Sequence, residues 1–409
     1  LLVTGNVDFN GDLDVDGTTN LDVVDVDGAV NFAADVTFAD GADLITASAG
    51  TDNVRFGENA GNSIASGAFN NVVIGKNAGT ALTTGDSNIA IGTGALMTED
   101  AHANNVAIGQ NALTLQNAGA DAYNVGIGYH AGTAVTTGTA NVLIGGLSGD
   151  AITTGGNNVA MGHTSLGSTT TGASNVAIGA DALAANTTAS SNTAVGKSAL
   201  AANTTGFENT AMGSAALDAN NTGSYNTAIG TQNMGANTTG SQNAAFGGYA
   251  LDANTTGSFN TAIGMHSLGA NTTASDNTAV GKEAMAANTT GQANTAIGSG
   301  ALGANTTASS NTAVGLNSLN ANTTGAENTA VGRGSLDANT TGNNSVALGR
   351  DSLTDNTTGS NNTGLGDNAL ANNTTASNNT AVGKNALLVN TTGAQQVAVG
   401  GSAMESNTT

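Results

Sequence analysis

The sequence of 409 residues contains no cysteine, proline or tryptophan, and only 3% of its residues are aromatic. Without cysteine, a disulfide framework, a thiolate metal site and a cysteine nucleophile are all excluded. Seven Lys and Arg stand against 29 Asp and Glu, giving a formal net charge of −22. This balance leaves no basic surface for phosphates, so nucleic acid is not expected as a partner. Apolar runs of a few residues are far shorter than the roughly 20 that span a bilayer, so membrane insertion is not expected either.

Glycine is abundant, with 59 residues, and much of it is periodic. From Gly128 to Gly400 the motif N-[TV]-A-[VI]-G returns at every 17th residue, and weaker copies with spacings of 17 to 19 reach back to Gly57. We number each of the 21 units so that this glycine is position 5. The unit that begins at Asn192 then reads NTAVGKSALAANTTGFE. A fixed period of this length indicates a repetitive fold rather than a set of globular domains.

Comparison of the units column by column predicts a strand at positions 2 to 4. Position 4 is aliphatic or Met in nearly every unit, position 2 is mostly Thr or Val, and position 3 between them is almost always Ala. Alternation with period two is typical of a strand, here with one medium-sized apolar face and one face of small groups. Position 9 is Leu or Met in the last fourteen units, which predicts a second strand around it.

Four early units suggest a thin core with a fixed volume in each coil. They carry Gly at position 9 and a large aliphatic three residues later. These pairs are Gly61 and Ile64, Gly79 and Leu82, Gly132 and Val135, and Gly149 and Ile152. The predicted fold class is therefore an all-β solenoid of 17-residue coils, whose 21 coils stack into a rod on the order of 100 Å long.

Asparagine and glycine columns are predicted to hold this stack in register. Position 12 is Asn in the last fourteen units, and stacked amides can hydrogen-bond along a rod. The predicted ladder includes Asn186, Asn203, Asn220, Asn237 and Asn254, with Gly179, Gly196, Gly213 and Gly230 where the backbone must turn or approach its neighbour. The N-T-T triplets also match a glycosylation acceptor, but a glycan on every coil of one column would crowd its neighbours.

A single chain of this composition has little to bury. About three apolar side chains per coil contribute roughly 2 kcal/mol each, whereas ordering costs about 1–2 kcal/mol for each of 17 residues. The small face of the strand is predicted to meet partner chains in a parallel homotrimer, through residues such as Ala194, Ala211, Ala228 and Ala262.

Residues 1–52 form a separate predicted segment, ahead of the repeat region at 53–409. They hold 11 acids and no base, in short alternating strands separated by glycines. Asp12, Asp14 and Asp16 before Gly17 resemble the start of a calcium loop and are a weak metal candidate. Val23 stands where the bidentate Glu is needed, and the alternation indicates a solvated acidic strand instead.

No catalytic or cofactor-binding residue is predicted, and we do not expect an enzyme. His130, His163 and His266 fall at the variable positions 6 and 7, where a solvated histidine is the simpler interpretation, and His102 lies apart from them. Phe207, Tyr225 and Phe259 are either isolated turn aromatics or a small sugar-stacking ridge. An ice-binding threonine array and a self-assembling extracellular filament remain as other non-enzymatic alternatives.

The repeat N-T-A-V-G-K-S-A-L resembles the head repeats of trimeric autotransporter adhesins. With the longer A-N-T-T-G-S turn it also resembles the shafts of bacteriophage tail fibres, as does the acidic G-N-V-D-F-N-G-D-L-D-V-D-G stretch. The resemblance covers residues 53–409 and implies a left-handed parallel β-roll assembled as a homotrimer.

For function, the resemblance implies a rigid extracellular shaft of a virion that positions a host-receptor-binding tip. Expected partners are two further copies, other fibre proteins at the ends, and a host-surface glycan or protein reached through a tip outside this sequence. The alternative is an autotransporter passenger on a bacterial surface. Because the chain opens without Met and stops inside a unit, both ends look cut, and the residues beyond Thr409 would separate the two settings.

Overall fold

The structure is a computed structural model in which residues 50–408 are described. The chain divides between Ile45 and Thr46, and the description below concerns the second of the two units. Its described part is all-β, with 21 strands of three residues each and no helix.

The strands, numbered in chain order, lie one in each coil. They are β1 Val54–Phe56, β2 Val72–Ile74, β3 Ile89–Ile91, β4 Val106–Ile108, β5 Val125–Ile127, β6 Val142–Ile144, β7 Val159–Met161, β8 Val176–Ile178, β9 Thr193–Val195, β10 Thr210–Met212, β11 Thr227–Ile229, β12 Ala244–Phe246, β13 Thr261–Ile263, β14 Thr278–Val280, β15 Thr295–Ile297, β16 Thr312–Val314, β17 Thr329–Val331, β18 Val346–Leu348, β19 Thr363–Leu365, β20 Thr380–Val382 and β21 Val397–Val399.

Each strand pairs in parallel with the strands before and after it, so all 21 form one sheet in coil order. Thr193 of β9 lies opposite Val176 and Thr210, a shift of one 17-residue unit in each direction. The longer spacings occur between β1 and β2 and between β4 and β5, where pairing is still in register. The prediction of a parallel β-solenoid with 17-residue coils is confirmed.

Backbone hydrogen bonds to the neighbouring coils continue beyond the strand. The amide of Leu200 donates forward to the carbonyl of Ala216 at 3.0 Å, whereas the amide of Ser198 donates backward to Ala180 at 2.9 Å. Donors that alternate in direction tie each coil to both neighbours. Backbone polar groups are thereby satisfied even where the chain turns.

The interior of each coil is filled by small groups around one large side chain. Ala194 at position 3, Ala199 at position 8 and Leu200 at position 9 are all fully buried, and the same columns are buried along the stack. Asn192 and Asn203, at positions 1 and 12, are fully buried beside them. The core is therefore narrow, and part of its lining is polar.

The orientation of the strand corrects the prediction for the alanine face. Ala194, Ala211, Ala228 and Ala262 have no exposed surface in a single chain, because they pack inside their own coil. They cannot meet a partner chain. Positions 2 and 4, which were expected to fill the core, instead point outward. The narrow coil has room opposite Leu200 only for a methyl group, so the larger side chains face away.

The predicted second strand around position 9 is also wrong for the described coils, which contain one strand each. Positions 7 and 9 adopt the left-handed conformation, with φ of 58° at Ser198 and 52° at Leu200. Two left-handed residues with a single residue between them turn the chain sharply, so this side of the coil is a turn. Leu200 still fills the core, as the sequence indicated.

The exchange between Gly at position 9 and an aliphatic at position 12 is confirmed. Gly79 and Gly149 have φ of 50° and 55°, the conformation that Leu takes at this position elsewhere. Leu82 and Ile152 are fully buried in their place. The large group enters the core from a different point of the coil. These two coils also bury Val73 and Leu143 at position 3, so the expectation of one large group in each coil is wrong for them.

Glycine at position 5 is required both by conformation and by contact. Gly179, Gly196, Gly213 and Gly230 have φ between 130° and 139°, which side chains disfavour. A β-carbon on Gly196 would overlap the carbonyl oxygen of Gly213 in the next coil. The strand can therefore leave the sheet and stack on its neighbour only where position 5 has no side chain.

We expect Gly196→Ala to destabilise its own part of the stack by about 1–3 kcal/mol, because it combines a disfavoured φ with a backbone clash. Native-state hydrogen exchange should show faster amide exchange in the coils around Gly196 and unchanged exchange ten coils away. The matched control is Gly248→Ala, where φ is not positive and the nearest atom lies at 4.0 Å. Equal effects of the two substitutions would contradict this account.

Candidate functional site

The first recurrent feature is a ladder of amide side chains inside the coils. Asn220 Nδ2 donates to Asn203 Oδ1 at 2.8 Å and to the carbonyl of Gly223 at 2.9 Å, and its Oδ1 accepts from Asn237 Nδ2 at 2.8 Å. The same bonds link every consecutive pair of position-12 asparagines from Asn186 to Asn407. This is the predicted ladder.

A second ladder runs beside the first at position 1. Asn209 donates its backbone amide to Asn192 Oδ1 at 3.0 Å, and its Nδ2 donates to the carbonyl of Gly223 at 2.9 Å. The carbonyl of Gly223 therefore accepts from both ladders. Where Ser345 replaces the amide, its Oγ accepts from the backbone of Asn362 at 3.2 Å. Two linked polar columns fix the register of each coil on the next.

The outward face of the sheet carries apolar side chains that a single chain leaves partly in solvent. Position 4 is between 36% and 46% exposed in eight of the coils from β7 to β20. These residues are Met161, Ile178, Met212, Phe246, Ile263, Ile297, Leu348 and Val382. Since the strands stack in register, the exposed side chains form one apolar strip along the sheet, which we call the outer strip. Large contiguous apolar patches of this kind mark interaction surfaces.

The turn columns hold most of the histidines and aromatics. His163 and His266 are exposed, as expected, whereas His130 is half-buried and contacts Asn111 Nδ2 at 3.3 Å. His266 stacks on Tyr249 with ring centroids 5.2 Å apart.

The aromatic ridge forms only in part. Phe207 and Tyr225 make an edge-to-face pair at 5.1 Å. Phe259 is 57% exposed and belongs to none of the ring pairs found within residues 50–408. The three aromatics therefore do not share one stacking surface.

Half-buried aspartates recur at position 10. Asp218 and Asp252 bound a shallow cavity of about 300 Å³ that opens at Gly235, the residue between them in the same column. Burial raises the pKa of both carboxyls above the ordinary value, and it does the same for Asp150 and Asp337. Backbone hydrogen bonds and His266 offset this only in part at Asp252. Each aspartate is thus more easily protonated than a solvated one.

Neighbouring coils can also be linked by charge on the surface. Arg350 donates to Asp367 through Nε at 2.9 Å and through Nη2 at 3.2 Å, from one coil to the next. The hydrogen bonds from this guanidinium lower the pKa of Asp367. Arg350 is exposed and Asp367 is partly exposed, so solvent screens the pair and we expect it to contribute little to stability.

The feature that sequence reasoning missed is a buried carboxylate at the turn after β3. Glu99 occupies position 12 and has no exposed side-chain surface, and its Oε1 lies 3.1 Å from His102 Nδ1. His102 stands at position 15, where the other coils place mainly Gly or Ala. The sequence did contain a signal for this pair. Position 12 contacts position 15 in other coils, and the coil of Glu99 departs from the repeat at both positions.

The weak calcium candidates Asp12, Asp14 and Asp16 lie outside the described residues. In the part that is described, no helix is long and apolar enough to cross a membrane. The chain matches no protein-family model, and no curated protein is significantly similar to it in sequence.

Replacing Asn220 by Ala should weaken its coil by about 1–3 kcal/mol for each buried group that loses its partner, since Asn203, Asn237 and Gly223 all bond to this amide. Local amide exchange around β10 and β11 is the measurement. The control is Asn221→Thr, an exposed neighbour changed to the residue that other coils have at position 13. Protection that survives Asn220→Ala as well as it survives the control would show that the ladder is not stabilising.

Asp252→Asn should raise the unfolding temperature slightly at pH 7. Burial disfavours the ionised carboxylate, so the folded protein is less stable above the ordinary pKa of 3.8 than below it, where the group is protonated in both states. The gain from Asn should therefore shrink as the pH falls through the raised pKa and vanish below 3.8. Asp355→Asn, at an exposed position, serves as the control. A gain for Asp252→Asn that is the same at pH 3 and pH 7 would refute the burial explanation.

Proposed function

We propose that this chain is a structural, non-enzymatic protein: the shaft of an extracellular fibre, assembled as a parallel homotrimer of left-handed β-rolls. The setting we favour is a bacteriophage tail fibre on the virion, where the shaft would hold a host-receptor-binding tip away from the particle. This proposal rests on the resemblance of the repeat and on the physical properties of the stack.

The outer strip is the observation that carries the trimer. It extends from β7 to β20, on strands that are paired in parallel and in register from one coil to the next. Three copies around a common axis would each turn this strip inward and bury the aliphatic groups of position 4. Thr at position 2 would lie beside them, where its hydroxyl can bond across the interface. The alanine face cannot do this, because it already lies inside each chain.

The ladders support a mechanical role. Coils bond to their neighbours through backbone amides, and from Asn186 onward also through two asparagine columns. A coil there cannot slide without breaking several buried hydrogen bonds at once. About 20 steps of roughly 4.8 Å give a stack on the order of 100 Å long. Such a stack reaches a long distance by repeating one 17-residue unit, which is what a spacer requires.

The remaining parts of the proposal concern partners and location. Other virion or fibre proteins would join the ends of the shaft, and a host-surface glycan or protein would be met by a tip outside this sequence. We propose no nucleic-acid partner and no membrane insertion. The alternative setting is a trimeric autotransporter passenger on a bacterial surface, because the repeat also resembles the head repeats of those adhesins.

The test of the trimer is its mass in solution. Light scattering on the folded chain should give three times the chain mass of 39.3 kDa. Ile178→Glu, Ile263→Glu and Ile297→Glu together should shift the population toward single chains, because they place carboxylates in the outer strip. Circular dichroism should show the same β-content before and after this shift.

Leu316→Glu is the control, because this residue is 51% exposed but lies at position 6, in a turn away from the strip. It should leave the mass unchanged. A folded wild-type chain with the mass of one copy would overturn the trimer, and dissociation by the control would overturn the choice of face.

A further inference from the structure

The turn that follows β3 carries a cluster of three possible metal-binding side chains, which no other described coil has. The turn reads Glu99, Asp100, Ala101, His102. One ligand atom from each of Glu99, Asp100 and His102 lies within 4.8 Å of the others, and no other such group of metal-binding side chains occurs between residues 50 and 408.

Glu99 is the unusual member, because it is a carboxylate with no exposed side-chain surface. Among the ion pairs of the described residues its only partner is His102. Its second oxygen, Oε2, is buried and accepts no hydrogen bond. A buried and incompletely paired carboxylate is costly, so its retention needs a compensating positive charge.

The distances within the turn suit a small cation. His102 Nδ1 lies 3.1 Å from Glu99 Oε1 and 3.8 Å from Asp100 Oδ1. With bonds of about 2.0–2.2 Å, two ligands of a tetrahedral ion lie roughly 3.4 Å apart, between these two values. The ligand atoms of all three residues lie within 4.8 Å of one another, so an ion could enter when the two carboxylates close toward it.

Backbone amides already hold the two carboxylates in position. The amide of His102 donates to Glu99 Oε1 at 3.2 Å, and the amide of Ala101 donates to Asp100 Oδ1 at 2.6 Å. Such outer contacts orient ligands before an ion binds. His102 and Asp100 are 23% and 49% exposed in their side chains, so the turn is open to solvent on one side.

We propose that Glu99, Asp100 and His102 bind one divalent transition-metal ion of the Zn²⁺ class, with water at the remaining coordination positions. The imidazole nitrogen favours such an ion over Ca²⁺ or Mg²⁺, which prefer oxygen ligands in larger number. The ion neutralises Glu99 and replaces the hydrogen bond between its carboxylate and His102. The site does not depend on the assembly or function proposed above, because all three ligands belong to one turn of one chain.

The experiment uses the full chain after treatment with a chelator. Zn²⁺ is followed by calorimetric titration, and Co²⁺ by its visible absorption bands. We expect one saturable site per chain, a Co²⁺ spectrum indicative of nitrogen and oxygen ligands, and a Zn²⁺-dependent rise in unfolding temperature.

Glu99→Gln, which keeps the shape of the side chain, should weaken binding at least about tenfold. The double variant Glu99→Asn, His102→Gly introduces the residue types that another coil has at positions 12 and 15, namely Asn203 and Gly206. That coil, like the coil of Glu99, has Leu at position 9. It should fold and bind neither ion. His163→Ser is the control, because His163 is exposed and distant along the chain, and it should change nothing.

Absence of one-to-one binding in the wild-type chain would overturn the proposal. Binding that persists in the double variant would overturn it equally, because the ion would then lie elsewhere. Either result would leave Glu99 and His102 as a structural pair of the turn. If Glu99→Gln fails to fold, the double variant decides the question.

Discussion

The whole structure depends on one constraint: each coil must return, after 17 residues, to a point directly above its start, so that backbone amides meet carbonyls of the next coil. Glycine at position 5 follows from it, because neighbouring backbones there leave no room for a β-carbon. The absence of proline follows as well, since a residue without an amide proton breaks a coil-to-coil bond. Extra residues are found only where a turn absorbs them, so β5 still pairs in register with β4 across a spacing of 19.

The same constraint limits what the chain can bury. Most of these short coils enclose one large side chain, and the rest of their interior is small side chains and amides. The amides are tolerated because two ladders satisfy them, and they specify register more strictly than an aliphatic column could. The aliphatic residues that do not fit inside are displaced to the outer surface of the sheet. Internal order and an external apolar strip are thus two results of one narrow cross-section.

Much of this could be predicted from the sequence, because 21 copies in one chain act as their own comparison. The period, the strand at positions 2 to 4, the amide ladder and the burial of Leu at position 9 all followed from which columns vary. Alternation shows which residues share a face, but it does not show which face is inside, and this is why Ala194 was placed wrongly. The turn at positions 7 and 9 was missed because Leu is a poor marker of a left-handed φ. Gly61 and Gly132 at the same position were the available signal, since they adopt that conformation freely. Glu99 and His102 were missed because single departures within a repeat are easily taken as variation.

Each described coil bonds only to its neighbours, so under tension along its axis the stack behaves as a series of elastic elements. Every interface carries the same load, extension adds up coil by coil, and the force at which the stack parts is that of its weakest interface rather than an average. The coils of Glu99 and Gln116 are adjacent, and each has a buried polar atom without a partner. That junction is where an overloaded stack is expected to part first, and a cation bound at Glu99 would move the breaking point elsewhere.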